Sequence, residues 1–152
     1  MIPLLTKTQK VIITLVLLGI SVFSLIIKLS GKSVLYATLR GTPLVLEVAD
    51  TDSSRARGLS SHAPLESGHG MLFEFPSDGG YGIWMKDMSF PIDIIWLDKD
   101  YRVVDTKTHA KPESYPEIFI PRVLARYVLE VGEGFLDEHR ISIGDILEIT
   151  SK

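Results

Sequence analysis

The sequence predicts a mainly β protein, built as a single β-sandwich or partly closed barrel with two short helices and preceded by one N-terminal transmembrane helix. Three observations favour this fold class. Apolar and polar residues alternate in about seven or eight short runs, as in half-buried strands. No strand–helix–strand repeat is visible, which disfavours a parallel doubly wound sheet. Residues 70–97 hold both tryptophans and three of the four methionines, and side chains this large are mostly buried.

The N-terminal segment predicts a membrane anchor. Residues 11–27 carry no charge and lie between Lys10 and Lys28. A helix of this length spans about 26 Å, near the hydrocarbon thickness of a bilayer, and both lysines can extend toward the headgroups. A cleaved signal peptide is the alternative, but the nearest cleavage site, Leu35-Tyr36-Ala37, has leucine where a small residue is preferred. A buried core helix is disfavoured because the segment has no polar face.

The domain boundaries follow from this interpretation. We expect an anchor at residues 1–29 with its span at about 11–28, a linker at 30–42 and a β-rich domain at 43–152. Two lysines precede the span and two follow it, so the positive-inside rule is nearly neutral. We expect the amino terminus inside, which makes this a single-pass protein of the cell membrane with its domain on the extracytoplasmic side.

The β-rich domain divides into elements by alternation and by turn residues. Asp52 is a candidate N-cap for a two-turn helix that Gly58 would end, and a second short helix is predicted at 135–139. Three prolines between Lys107 and Pro121 predict a long irregular connection. The predicted strands are 44–49, 71–75, 81–85, 92–97, 102–108, 124–131 and 146–149. The run 92–97 is apolar on both faces, which indicates a central strand covered on both sides.

Composition excludes several function classes. The chain has no cysteine, so neither a disulfide framework nor a thiolate metal site or nucleophile is present. Beyond residue 33 the chain has 12 basic and 19 acidic residues, a balance of −7, which disfavours nonspecific binding to nucleic acid. The four histidines lack metal-ligand spacing, so no metal and no cofactor are predicted.

Several short motifs occur together in a characteristic order. They are Arg55-x-x-Gly58-Leu59, Gly70-Met71-Leu72-Phe73, Trp84-Met85-Lys86, Pro91-Ile92-Asp93, Tyr127-Val128-Leu129-Glu130-Val131 and Gly144-Asp145. In this order they resemble the family known as domain of unknown function 192, over about residues 44–149. The resemblance implies a mainly β sandwich of jelly-roll type, often behind a signal or an anchor. The activity of that family is not established. The chain departs from the family pattern at Ser60, at Asp87-Met88 and at Tyr101.

A few charged residues interrupt the apolar runs and are candidates for a binding site. Lys86 and Asp93 could meet near the 88–91 turn, either as a polar pocket floor or as a structural pair, and Asp93 could instead accept from backbone N–H groups there. Arg55 could hold a carboxylate ligand, Asp93 or Glu130, or could tie the first helix to the sheet. Glu130 lies within an apolar strand and needs a donor, for which Arg126 and Arg55 are candidates.

Two further residues complete the set of candidates. His109 begins the proline-containing connection and is either an acid–base group at a pocket rim or a surface histidine. Trp84 is a candidate ligand contact, although a tryptophan in such a run is more often part of the core. The candidate ligand-binding residues are therefore Arg55, Trp84, Lys86, Asp93, His109 and Glu130.

Three functions fit these features. The first is a membrane-anchored, non-catalytic module that binds a small molecule or an envelope component outside the cytoplasm. The second is an acid–base enzyme using Asp93, Lys86 and His109. The third is a structural or partner-binding domain of a membrane assembly that uses exposed apolar surface. The sequence favours the first because no nucleophile motif accompanies the charged residues.

Overall fold

A computed structural model of the chain describes residues 33–151 together with residues 13, 15 and 16. The predicted membrane span at 11–28 lies outside the described residues, except that Ile13, Leu15 and Val16 are helical. Within the part of the chain that is described, no helix has the length and apolar character needed to cross a bilayer. Residues 33–152 form a compact unit of their own.

The described part of this unit is mainly β with two short α-helices, as the sequence predicts. The elements in chain order are β1 (Val34–Leu39), β2 (Thr42–Ala49), α1 (Asp52–Arg57), β3 (His69–Gly79), β4 (Ile83–Trp84), β5 (Ile92–Leu97), β6 (Val103–Ala110), a 3₁₀ turn (Pro112–Ser114), β7 (Ile118–Phe119), β8 (Ala125–Gly132), α2 (Phe135–Glu138) and β9 (Leu147–Ser151).

Seven of these strands form one sheet in the order β6-β5-β8-β3-β2-β1-β9. The β2–β3 pair is parallel and the other neighbours are antiparallel. The sheet is not closed, although its outer strands approach each other at one bridge between Arg102 and Ile146. The remaining two strands, β4 and β7, form a separate antiparallel pair.

The sheet separates two groups of buried side chains. The first core lies on the face that carries Leu46, Leu72, Ile95 and Leu129. The second core lies on the face that carries Phe73, Trp96 and Val128, together with side chains from the segment between β4 and β5. Every residue of β5 is buried, which confirms the prediction of a strand covered on both faces.

The predicted linker at 30–42 is wrong in its second half, because residues 34–39 form β1. Leu35, Ala37 and Leu39 alternate toward the first core, and β1 pairs with β2 along its whole length. Gly41 supplies a positive φ of 77° in the tight turn that joins the two strands.

Three further elements differ from the sequence prediction. The N-cap of α1 is Thr51, whose side chain accepts from the Ser54 N–H, so Asp52 lies in the first turn. The predicted strand 81–85 is reduced to Ile83–Trp84 because it pairs only with the two-residue β7. The turn after β5 holds Tyr101 at a φ of 59°, a conformation that glycine adopts more easily.

Candidate functional site

A cavity of about 270 Å³ lies on the face of the sheet that carries the second core. Its walls come from α1, β3, β4 and the segment that follows β4, and Glu130 of β8 lines it. Phe73, Phe75 and Ile83 make much of this lining apolar. The cavity is small for a ligand site, but it has the mixture of apolar walls and few polar groups that such sites show.

Glu130 is the buried polar group of this cavity. On β8 it lies between Met71 of β3 and Ile94 of β5, and the residue is 5% exposed. No group within residues 33–151 donates a hydrogen bond or forms an ion pair with its carboxyl. Burial raises the pKa of Glu130 to about 8, because desolvation penalises the charged form. The carboxyl is therefore mostly protonated at neutral pH and can donate a hydrogen bond.

Neither arginine that the sequence proposed as a partner reaches Glu130. Arg55 donates to the backbone oxygens of Asp50 and Glu74 at 2.6 and 2.7 Å and pairs with the Asp52 carboxylate. Arg126 donates to Asp78 at 2.8 Å. The expectation of a Glu130 ion pair is thus wrong, because each guanidinium is held by acceptors near its own element.

Arg55 contributes to the cavity mainly as structure. Its side chain is only 15% exposed, and its guanidinium lies 5.2 Å from the centre of the Phe75 ring. Three acceptors occupy its N–H groups, so it ties α1 to the end of β2 and to β3. This is the structural role among those that the sequence allowed for Arg55.

The rim of the cavity carries an aromatic ring and a lysine. Trp84 is 49% exposed and meets the Tyr115 ring edge-on at 6.1 Å between centroids. The Lys86 ammonium lies 5.6 Å from the centre of the Trp84 ring, within the range of a cation–π contact. The Ser60 hydroxyl donates to the backbone oxygen of Lys86 at 3.1 Å, which joins the loop after α1 to the rim. The next residue, Asp87, has a φ of 57°.

Asp93 and His109 lie together at another place in the fold. The Asp93 carboxylate is fully buried and accepts from the backbone N–H of His109 at 2.9 Å and from that of Leu136 at 3.0 Å. It therefore joins the end of β6 to the first turn of α2. Neither residue lines the cavity, and no ion pair within residues 33–151 links Lys86 to Asp93. The predicted meeting of these two charges near the 88–91 turn is wrong.

His109 is exposed and lies between two acidic side chains. Its Nδ1 is 3.0 Å from Glu133, and its Nε2 is 3.4 Å from Asp137. The hydrogen bond with Glu133, with smaller contributions from Asp93 and Asp137, raises the pKa of His109. The His109 ring thus links the start of α2 to the end of β6. The described residues contain no group of three or more acidic or histidine side chains arranged to hold a metal ion.

The structure divides the six candidate residues into two groups. Arg55, Trp84, Lys86 and Glu130 line one cavity, whereas Asp93 and His109 belong to the contact between β6 and α2. Sequence reasoning missed the aromatic wall formed by Phe73 and Phe75. Their alternation on β3 was visible, but alternation shows only that they share a face.

The fold is that of a small, mainly β domain, and the cavity beside Glu130 lies on one face of its sheet. The family model of DUF192, a group described as uncharacterised ACR, matches residues 35–149. The chain belongs to this family, as its motifs indicated.

Relatives of the chain carry a family name rather than an activity. A UPF0127 protein of Thermococcus gammatolerans is 34% identical over 111 residues, covering 70% of this chain and 69% of the relative. A UPF0127 protein of Thermococcus kodakarensis is 33% identical over 107 residues, covering 69% of this chain and 64% of the relative. These relatives therefore share most of the β-rich domain with this chain.

Two crystal structures have a similar fold. A protein from Sinorhizobium meliloti, described as a candidate transcription regulator, superposes with a TM-score of 0.74 at 29% identity and covers 78% of this chain and 95% of its own. A protein of unknown function from Novosphingobium aromaticivorans gives a TM-score of 0.72 at 28% identity, covering 78% of this chain and 87% of its own.

Proposed function

We propose that this protein is a membrane-anchored, non-catalytic module that binds one small ligand in the cavity lined by Glu130. The ligand is either a free small molecule or part of an envelope component. One observation supports the proposal: Glu130, a residue that is 5% exposed, lines the cavity and its carboxyl has no partner within the described chain. A ligand in the cavity that bonds to this carboxyl would supply the hydrogen bond that the described chain does not.

The rim supports entry of a ligand from solvent. Trp84 and Lys86 are exposed beside the cavity, so an incoming molecule would meet an aromatic face and a cation before it reaches the apolar walls. The acid–base enzyme of the second hypothesis is less well supported, because Asp93 and His109 are engaged away from Lys86.

A thermal-shift screen of the purified full chain against sugars, peptides and small metabolites tests the binding function. We expect at least one compound to raise the melting temperature of the protein. The same compound should lose its effect on Trp84→Ala and keep it on Lys107→Ala, because Lys107 lies over the Phe119 ring and does not line the cavity. A screen in which no compound shifts the wild type would contradict ligand binding.

The anchor part of the proposal is supported by the charge-free run 11–27 between two lysines. We expect the chain to remain with membranes after washing with alkaline carbonate. A protease added to intact spheroplasts should remove the β-rich domain if that domain is extracytoplasmic. A chain released by carbonate would contradict the anchor, and a protected domain would contradict the orientation.

A second candidate function, a partner-binding domain of a membrane assembly, is favoured by exposed apolar side chains around β4 and β7. Trp84, Tyr115, Ile118 and Ile120 are all exposed, and Ile118 pairs with Trp84. A photo-crosslinking residue placed at Ile120 in cells distinguishes the two functions. A specific crosslinked membrane protein would favour partner binding.

A further inference from the structure

The charges around the cavity are unequal, and they restrict the kind of ligand that fits. Arg55 and Arg57 of α1 and Lys86 after β4 line it, against the single carboxyl of Glu130. The Arg55 charge is offset by Asp52, whereas neither Arg57 nor Lys86 has an ion pair with any described residue. The strands β3 and β5 contribute apolar side chains such as Phe73 and Ile92. The cavity is therefore cationic at its edge.

From this arrangement we propose that the ligand is a small organic carboxylate with an apolar body, bound with its carboxylate facing the Glu130 carboxyl and Lys86. This inference rests on the proposed function, because it names the chemical class of the ligand for the same cavity. Phe73, Phe75 and Ile83 would surround the apolar body, and a cavity of about 270 Å³ limits it to a small size.

The cations that Arg57 and Lys86 place at the cavity edge favour an anionic ligand, and the burial of Glu130, which disfavours its ionised form, allows a carboxylate to lie beside it. A protonated carboxyl donates a hydrogen bond, and an anionic oxygen is the stronger acceptor for it. The two carboxyl groups would then share one proton and one negative charge, which Lys86 partly balances. No bond is made or broken apart from this hydrogen bond.

An amine is the opposite case. Its cation would be balanced best by an ionised Glu130, which burial disfavours, and it would approach the positively charged Lys86. A neutral amide could accept from Glu130, but its contact with the lysine would be weaker than that of a carboxylate. The structure therefore predicts the order carboxylate, amide, amine for ligands of equal shape.

The ordering is tested with three probes of nearly equal size: phenylacetate, phenylacetamide and phenethylamine. Binding to the purified full chain is followed by isothermal titration and by Trp84 fluorescence, since Trp84 is exposed at the rim and Trp96 is buried. At pH 6.5 we expect phenylacetate to bind at least about tenfold more tightly than either other probe. At pH 9 this affinity should fall by about tenfold or more, because Glu130 then ionises beside a second anion.

Two variants separate the role of Glu130 from a general charge effect. Glu130→Gln keeps a hydrogen-bond donor without a titrating proton, so phenylacetate should bind it with an affinity that changes little between pH 6.5 and 9. Glu148→Gln, an exposed glutamate of β9, is the matched control and should retain the pH dependence of the wild type. Lys86→Ala should weaken the binding of phenylacetate more than that of phenylacetamide, because only the carboxylate loses an ion pair.

The possible outcomes of these titrations distinguish a failure of the carboxylate inference from a failure of the proposed ligand-binding function. Tighter binding of phenethylamine or phenylacetamide would overturn the carboxylate class while leaving ligand binding in place. Binding of phenylacetate that is unaffected by pH in the wild type would overturn the role of Glu130. If none of the three probes binds, the carboxylate inference fails, and the separate thermal-shift screen decides whether the cavity binds any other ligand.

Discussion

Asp93 and Glu130 lie on neighbouring strands of one sheet, and they are buried in different ways. Asp93 of β5 lies opposite Val131 of β8, the residue that follows Glu130. Because successive side chains of a strand alternate between the two faces of the sheet, Asp93 and Glu130 point to opposite faces. Asp93 accepts from two backbone N–H groups. Glu130 accepts from none within the described residues and faces a cavity. The Asp93 carboxylate therefore has a structural role, because the chain supplies its hydrogen-bond donors. The Glu130 carboxyl has no donor among the described residues, so it is available to a ligand.

Asp93→Ala should have the largest effect on stability. It would leave the N–H groups of His109 and Leu136 without an acceptor, and each buried orphan costs about 1–3 kcal/mol. We expect the free energy of unfolding to fall by about 4 kcal/mol, measured by urea denaturation. Asp93→Asn keeps one oxygen and should lose roughly half as much. A loss below about 1 kcal/mol for Asp93→Ala would show that Asp93 does not hold this contact.

Glu130 should make the stability of the protein decrease as the pH rises. Its pKa is raised to about 8 in the folded state from 4.5 in the unfolded chain. Between these values the folded state holds a proton that the unfolded state has lost, so the free energy of unfolding falls with increasing pH. We expect a loss on the order of 3 kcal/mol from pH 5 to 8.5, present in Glu148→Gln and absent in Glu130→Gln. If the free energy of unfolding fell with pH equally in Glu148→Gln and Glu130→Gln, Glu130 would not be the cause of the pH dependence.

Gly70→Ala tests how closely β3 and β8 must approach beside Glu130. A Cβ at Gly70 would lie 2.6 Å from the backbone oxygen of Glu130, which cannot move without separating the strands. We expect a loss of about 2 kcal/mol in the free energy of unfolding, as for other overpacked sites. Gly132→Ala is the control, because a Cβ there meets no atom within 4 Å. Similar losses in both variants would point to a general glycine effect.

A third buried carboxyl, Asp105, gives a smaller effect of the opposite sign. Its bonds with Arg122 lower its pKa from 3.8 to about 2. The stabilisation is therefore complete above about pH 4 and is lost as the pH falls through 2. The Arg122 side chain is 75% exposed, so solvent screens the pair, and Arg122→Ala should cost about 1 kcal/mol at pH 7 and much less at pH 2. Urea titrations at both pH values measure the difference.

Much of the fold could be predicted from the sequence because side-chain alternation reports local burial. The run Ile92–Leu97 is apolar throughout and forms a strand buried on both faces. The family was also readable, since its motifs lie in order along the chain. The strand at Val34–Leu39 lies within the predicted linker, because glycines at positions 31 and 41 flank it in the sequence and only its pairing with β2 and β9 makes it regular.

The site could be predicted only in part, because spacing along the chain does not fix which charges meet. Lys86 and Asp93 are seven positions apart in the sequence, yet one faces the cavity and the other the β6–α2 contact. The sequence places no restriction on whether Arg55 reaches Glu130, but the carbonyl groups of Asp50 and Glu74 lie closer to its guanidinium. Such competition among acceptors depends on three-dimensional distances.

By itself the sequence determined a mainly β domain of a known family, and it predicted that Glu130 lies within an apolar strand. Only the tertiary structure decided that Glu130 has no partner among the described residues, whereas Asp93 has two. The physical reason is that burial follows from the local pattern of apolar residues, which can be recognised directly in the sequence. Hydrogen-bond partners come from distant segments, and only the packed sheet and helices bring those within about 3 Å.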